Sequence, residues 1–166
     1  MKLLFMLFGV VVICNSSVAC EGTNFALLRS DQLANAQEGF CSRPGLAGIV
    51  KPWRVSCADV KAAERQLPRF LAGLNTHVPL QNLRRGFRQY LGFERAGKRF
   101  LFINHVPEDN QIPRSVSVRR VRDVCDGGMY VWSVEFAVAT ATFDHFQTSG
   151  PDAFPDNAPP PFLEKK

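Results

Sequence analysis

Tyr130-Val131-Trp132-Ser133-Val134-Glu135-Phe136-Ala137-Val138 is the most regular stretch of the chain. Tyr130, Trp132, Val134, Phe136 and Val138 fall at every second position with Ser133 and Glu135 between them, the period of a strand with one buried face. Residues 139–141 break the pattern, and Phe143 and Phe146 mark a second strand ending at Ser149-Gly150, so the pair reads as a hairpin. Upstream, Phe87, Gln89, Leu91 and Phe93 alternate with Arg88, Tyr90, Gly92 and Glu94, and Phe100, Phe102, Asn104 and Val106 alternate with Leu101, Ile103 and His105. Arg95-Ala96-Gly97-Lys98 between them has the length and the glycine of a hairpin turn. Residues 115–124 read as an Arg-rich strand in which Val116, Val118 and Val124 share a phase and Val121 does not, the mark of a bulge or an edge position. Asp126-Gly127-Gly128 then turns the chain into the Tyr130 strand.

Ahead of the strands, Ser56 with Asp59 three positions later starts a helix, since a capping hydroxyl and a carboxylate at that spacing satisfy free backbone donors. Val60, Ala63, Leu67, Leu71 and Leu74 lie on one stripe of it. Pro68 sits inside and predicts a kink or a break near Leu67. Residues 21–40 offer Phe25, Leu27, Leu28 and Leu33 as anchors, with Ser30-Asp31 capping a short helix to about Glu38. Residues 41–53 carry Pro44-Gly45, Gly48 and Pro52, a loop from which Leu46, Ile49, Val50 and Trp53 cover an edge of the core. The expected fold is α+β: one kinked helix packed on an antiparallel sheet of four to five strands.

Lys2, an apolar run over residues 3–14 and the small residues up to Ala19 have the three regions of a secretory signal. Twelve apolar residues are too few to span a bilayer comfortably. Expected units are thus a signal peptide over 1–19, a loop-rich segment over 20–55, the α+β domain over 56–150 and a disordered tail over 151–166, where Pro151, Pro155 and Pro159-Pro160-Pro161 bar sheet pairing. No internal repeat is present, and the processed chain is long enough for one domain with a single core.

The chain has a net charge of +5. Much of the excess lies in Arg84, Arg85 and Arg88 and in Arg114, Arg119, Arg120 and Arg122, which favours anionic partners such as lipid head groups or acidic polysaccharide; nucleic acid is not expected of an exported protein. Cys20, Cys41, Cys57 and Cys125 remain after the leader; Cys41, Cys57 and Cys125 are disulfide candidates whose pairing the sequence leaves open. No Cys-x-x-Cys or paired Cys and His spacing encodes a metal site, and no cofactor is expected.

Ser17-Val18-Ala19-Cys20 resembles the lipobox of bacterial lipoproteins, with Ser17 where an aliphatic residue is usual. That resemblance implies a lipidated Cys20 and a membrane tether; ordinary cleavage after Ala19 is the alternative. The order of one helix followed by consecutive antiparallel strands resembles cystatin-like folds, and Gln89-Tyr90-Leu91-Gly92 resembles their Gln-x-Val-x-Gly protease-binding loop with its glycine one place early. Arg88-Gln89-Tyr90-Leu91-Gly92, Phe102-Ile103-Asn104, Val124-Cys125-Asp126-Gly127-Gly128 and Trp132-Ser133-Val134-Glu135-Phe136 are similar to small exported bacterial proteins of uncharacterised role, over residues 87–150. Relatives of that kind often carry a cysteine after the Ile-x-Asn strand, where this chain has His105 and Val106, and the resemblance implies a fold with no activity attached.

The best local candidates for catalysis are Cys125-Asp126 and Asp144-His145, which make a thiolate pair only if folding unites Cys125 with His145. Gly127-Gly128 beneath Arg120 and Arg122 is a candidate anion nest, so Arg119, Arg120, Arg122, Asp126, Gly127 and Gly128 are the candidate binding residues; a plain hairpin turn explains the same glycines. The leading expectation is a non-catalytic envelope protein that binds an anionic or protein partner, periplasmic or associated with the outer membrane if bacterial and otherwise secreted. A cystatin-like protease inhibitor and a thiol-dependent hydrolase using Cys125 and His145 are the alternatives.

Overall fold

A computed structural model describes residues 24–74, 83, 86–107 and 119–150. Cys20, the leader and the Pro-rich tail lie outside the described residues. Among the described residues the elements are, in chain order, β1 (Phe25–Leu27), a 3-10 turn (Ser30–Gln32), α1 (Leu33–Glu38), β2 (Lys51–Pro52), α2 (Cys57–Gly73), β3 (Gly86–Arg95), β4 (Lys98–Pro107), β5 (Gly128–Ala137) and β6 (Thr142–Ser149).

Helix α2 begins as its sequence requires. The Ser56 hydroxyl accepts from the Asp59 backbone N–H at 3.3 Å, and the Asp59 carboxylate accepts from the Ser56 N–H at 3.1 Å. Val60, Ala63, Leu67 and Leu71 are all buried along one stripe. The helix runs continuously through Pro68, so the chain does not break there. Proline inside a helix costs about 3 kcal/mol or more. Leu67 and Leu71, buried on either side of it, each return about 1.5–3 kcal/mol. Pro68 itself is exposed on the outer face.

Strands β3 to β6 form the expected antiparallel meander in the order β3-β4-β5-β6. The β3–β4 hairpin closes through Ala96 and Gly97, both at positive φ, 50° and 73°, the backbone a two-residue hairpin turn demands. In β6 the unequal spacing of Phe143 and Phe146 is absorbed by register shifts against β5 and by His145 at φ 52°, which lets both rings face the helix side. The sheet as a whole departs from expectation: it is mixed and has six strands. β1 lies parallel to β3 beside Arg88–Tyr90, and β2 lies antiparallel beside Phe93 and Glu94, so two short strands share one edge of β3. At three and two residues they are too short to leave a period in the sequence.

Both faces of the sheet are covered. Tyr90, Leu101, Ile103, Trp132, Val134 and Phe136 meet the stripe of α2. Leu91, Phe93 and Phe102, on the opposite face, meet Leu28, Leu33, Ala36, Leu46 and Val121. The segment 24–50, built on the short helix from Leu33 to Glu38, is therefore a second layer; Ser30 and Asp31 do not cap that helix but lie in the 3-10 turn ahead of it, and its N-cap Gln32 makes no side-chain capping bond. Leu46 is buried in it, whereas Ile49 points to solvent at 88% exposure. Described residues 119–124 are no strand, against the reading of residues 115–124 as one. Side chains take the place of a ladder there.

Candidate functional site

Cys41 and Cys125 form a disulfide that joins residues 84 apart, and it decides which of the open pairings is realised; Cys57, at the start of α2, has no part in it. The bridge is exposed. Two hydrogen bonds flank it: the Cys41 N–H donates to Asp123 Oδ2 at 2.8 Å, and the Asp126 N–H donates to Ser42 Oγ at 2.9 Å. The loop 40–43 of the second layer is thus clasped to the chain that leads into β5.

Beneath the clasp runs a buried polar row. Gln89 on β3 and Asn104 on β4 are register partners, both fully buried, and they point to the second face among Phe87, Leu91, Phe93, Phe102 and Val106. Asn104 Nδ2 donates to Gln89 Oε1 at 2.8 Å and to the Arg122 carbonyl at 2.9 Å. Gln89 Oε1 also accepts the Arg122 N–H at 2.8 Å, while Gln89 Nε2 donates to the Arg120 carbonyl at 2.6 Å. Two side-chain amides therefore do for residues 120–122 what a neighbouring strand would do. This is the physical reason that stretch lies over the sheet instead of joining it.

Arg43 Nη2 donates to Asn104 Oδ1 at 2.9 Å, and its guanidinium carbon sits 4.2 Å above the centre of the Phe40 ring. Only 3% of Arg43 is exposed, and Nε and Nη1 have no hydrogen-bond partner among the described residues. Burial pulls its pKa down to about 10, with the Asp123 carboxylate opposing the shift. A guanidinium so placed is held by geometry at a cost in desolvation.

Two further ion-pair clusters lie elsewhere. Glu64 on α2 accepts from Arg88 Nε at 2.6 Å and Nη2 at 3.2 Å, and from the Tyr90 hydroxyl at 2.5 Å. Burial, reinforced by Glu64, raises the Tyr90 pKa well above that of a free tyrosine. Glu135, nearly buried, is gripped by both terminal nitrogens of Arg95 and lies 3.2 Å from His145 Nδ1. Arg95 in turn lies over the rings of Phe93 and Phe100.

The expected site residues therefore separate. Cys125 is spent in the disulfide and His145 is tied to Glu135, so the two do not form a thiolate pair. Arg119 and Arg120 are exposed, Arg122 is buried, and Asp126 is the exposed turn residue bonded to Ser42. Gly127 and Gly128 are buried at the start of β5. Gln89 through Phe93, likened above to a protease-binding loop, is buried in mid-strand and offers a protease no loop. Cys41, Asp123 and Cys125 bring three candidate ligand atoms within 4.8 Å, but the two sulfurs are bonded to each other and neither is a thiolate. The Gln89–Asn104–Arg43 row was missed from sequence. Its signal was there in part: Gln89 and Asn104 share the phase of the apolar residues on their strands, while Arg43, in a Pro-Gly loop, gives no sign of burial.

Among the described residues no helix is long and apolar enough to cross a membrane. Comparison of the chain with protein families, with curated proteins and with solved structures finds no match.

Proposed function

We propose that this chain works outside the cytosol as a non-catalytic binding or structural module whose second layer is clasped to the sheet. The observation that carries the reading is the exposed Cys41–Cys125 bridge over a buried polar row: a cross-link of this kind persists where thiols are oxidised, and it occupies the one cysteine proposed for catalysis. The signal-like leader and the lipobox-like Ser17-Val18-Ala19-Cys20 support the same compartment, with Cys20 as the membrane tether. Nothing in the Glu135–Arg95–His145 cluster supplies a nucleophile next to the imidazole, so the cluster reads as an anchor for β6 against the end of β3.

Intact mass of the processed protein, before and after alkylation with and without reductant, tests the proposal. The expected result is cleavage ahead of Cys20, a mass loss of two hydrogens at Cys41 and Cys125, and no multiple-turnover hydrolysis of ester or peptide substrates. Retention of the leader with both thiols alkylated without reductant would refute it, as would turnover abolished by His145→Ala.

A further inference from the structure

Helix α2 carries two acids and three bases outside its termini, and folding sorts them onto opposite sides. Asp59 is consumed in the capping box, and Glu64 is turned toward the sheet, where Arg88 and Tyr90 hold it. Lys61, Arg65 and Arg69 are spaced four residues apart, so they stand one above another on the side opposite Val60, Ala63, Leu67 and Leu71. All three are exposed and make no hydrogen bond or ion pair with any described residue. Between them the outer face shows Ala58, Pro68 and Ala72, also exposed. It thus presents three cations, no acid and no bulky side chain.

Like charges four apart on a helix repel, so the stripe weakens the folded state and gains nothing inside it. We propose that this outer face of α2 is a docking surface for an anionic lipid bilayer. A planar array of head groups fits it better than a protein does. Among the described residues of this face there is no aromatic anchor of the sort that dominates protein interfaces, and the small residues let a flat anionic surface approach all three cations together. With no bulky apolar side chain to insert, attachment is electrostatic and reversible by salt. The inference deepens the binding-module reading and rests on it, since one lipid anchor and one basic patch together hold a protein at a surface where either alone is marginal.

The test is sedimentation of the processed protein with vesicles of phosphatidylcholine alone or mixed with phosphatidylglycerol, over a salt series. The protein should pellet with the anionic vesicles and be released as salt rises. Each basic residue near such a surface is worth roughly a fivefold gain, so Lys61→Gln/Arg65→Gln/Arg69→Gln should weaken partitioning about 100-fold. A charge-matched control, Arg29→Gln/Lys51→Gln/Lys98→Gln, should bind within a few-fold of the parent. The triple variant should melt no lower than the parent, because it removes repulsion and no contact. Equal losses in the two variants, no preference for anionic vesicles, or binding to soluble polyphosphate but not to vesicles would overturn the proposal. None of these outcomes touches the intact-mass and turnover results, so failure here and failure of the broader reading are told apart.

Discussion

Replacing Asn104 by leucine, which keeps the branched outline of the side chain but none of its polar atoms, probes the energetics of the buried polar row. The change removes the acceptor of Arg43 Nη2 and the donor to the Arg122 carbonyl, each at 2.9 Å, while Gln89 keeps the Arg122 N–H. A buried group left without its partner costs about 1–3 kcal/mol, and more when it is charged. Two such groups result here, the Arg43 guanidinium and the Arg122 carbonyl. A loss of about 4 kcal/mol is therefore expected, against a total stability of about 5–15 kcal/mol. In urea, with a slope of about 2 kcal/mol/M, the midpoint should fall by about 2 M, followed by far-ultraviolet circular dichroism. The sharper arm is the double variant. If the damage comes from a stranded guanidinium, Arg43→Leu/Asn104→Leu removes the stranded group and should be more stable than Asn104→Leu alone. A double variant that loses the sum of the two single costs would refute the argument, and so would a midpoint shift under about 0.5 M for Asn104→Leu.

Other expectations follow from single contacts. Cys41→Ser/Cys125→Ser opens an 84-residue separation, for which the chain-entropy estimate is about 4.5 kcal/mol; urea midpoints with and without dithiothreitol should converge in the variant and differ in the parent. A Cβ on Gly92 would lie 2.3 Å from the Trp53 carbonyl oxygen, whereas one on Gly73 meets nothing within 4 Å. Gly92→Ala should therefore lower the thermal midpoint by several degrees, and Gly73→Ala, at the end of a helix, should leave it unchanged or raise it. Tyr90 titrates higher when folded than when unfolded, so its contribution is complete below about pH 10 and is lost as pH climbs above that value, where the unfolded chain sheds its proton first. Tyr90→Phe should flatten that alkaline limb in urea titrations between pH 9 and 11, at the cost of the hydrogen bond to Glu64 at neutral pH.

Much of the helix side of the fold was legible in residues. Tyr90, Leu101, Ile103, Trp132, Val134 and Phe136 keep strand period, and Val60, Ala63, Leu67 and Leu71 keep helix period, because each element buries one face against the other. The second layer was not legible in the same way. β1 and β2 are too short to show a period, and the helix from Leu33 to Glu38 buries only Leu33 and Ala36. A segment that covers a sheet with isolated contacts and a disulfide leaves anchors in the sequence and no pattern. Ile49 shows the hazard: its neighbours Leu46 and Val50 pack inward, and nothing local separates it from them.

The misreading of residues 115–124 has a more general physical cause. Val121 is buried and Val124 half-buried, and the stretch has the composition of a strand, so periodicity alone could not decide the matter. What decides it lies far away in the sequence, in two amides on β3 and β4 that satisfy the Arg120 and Arg122 backbone. Once Gln89 and Asn104 are committed to that segment, a strand beside it would leave both amides buried without partners, at about 1–3 kcal/mol for each orphaned group. The same commitment fixes where Arg43 can find an acceptor, and hence where the 40–43 loop must sit for Cys41 to reach Cys125. The disulfide therefore locks an arrangement that the polar row has already chosen. Its reduction should loosen the clasp between the two layers while the helix side, which shares none of these contacts, stays folded.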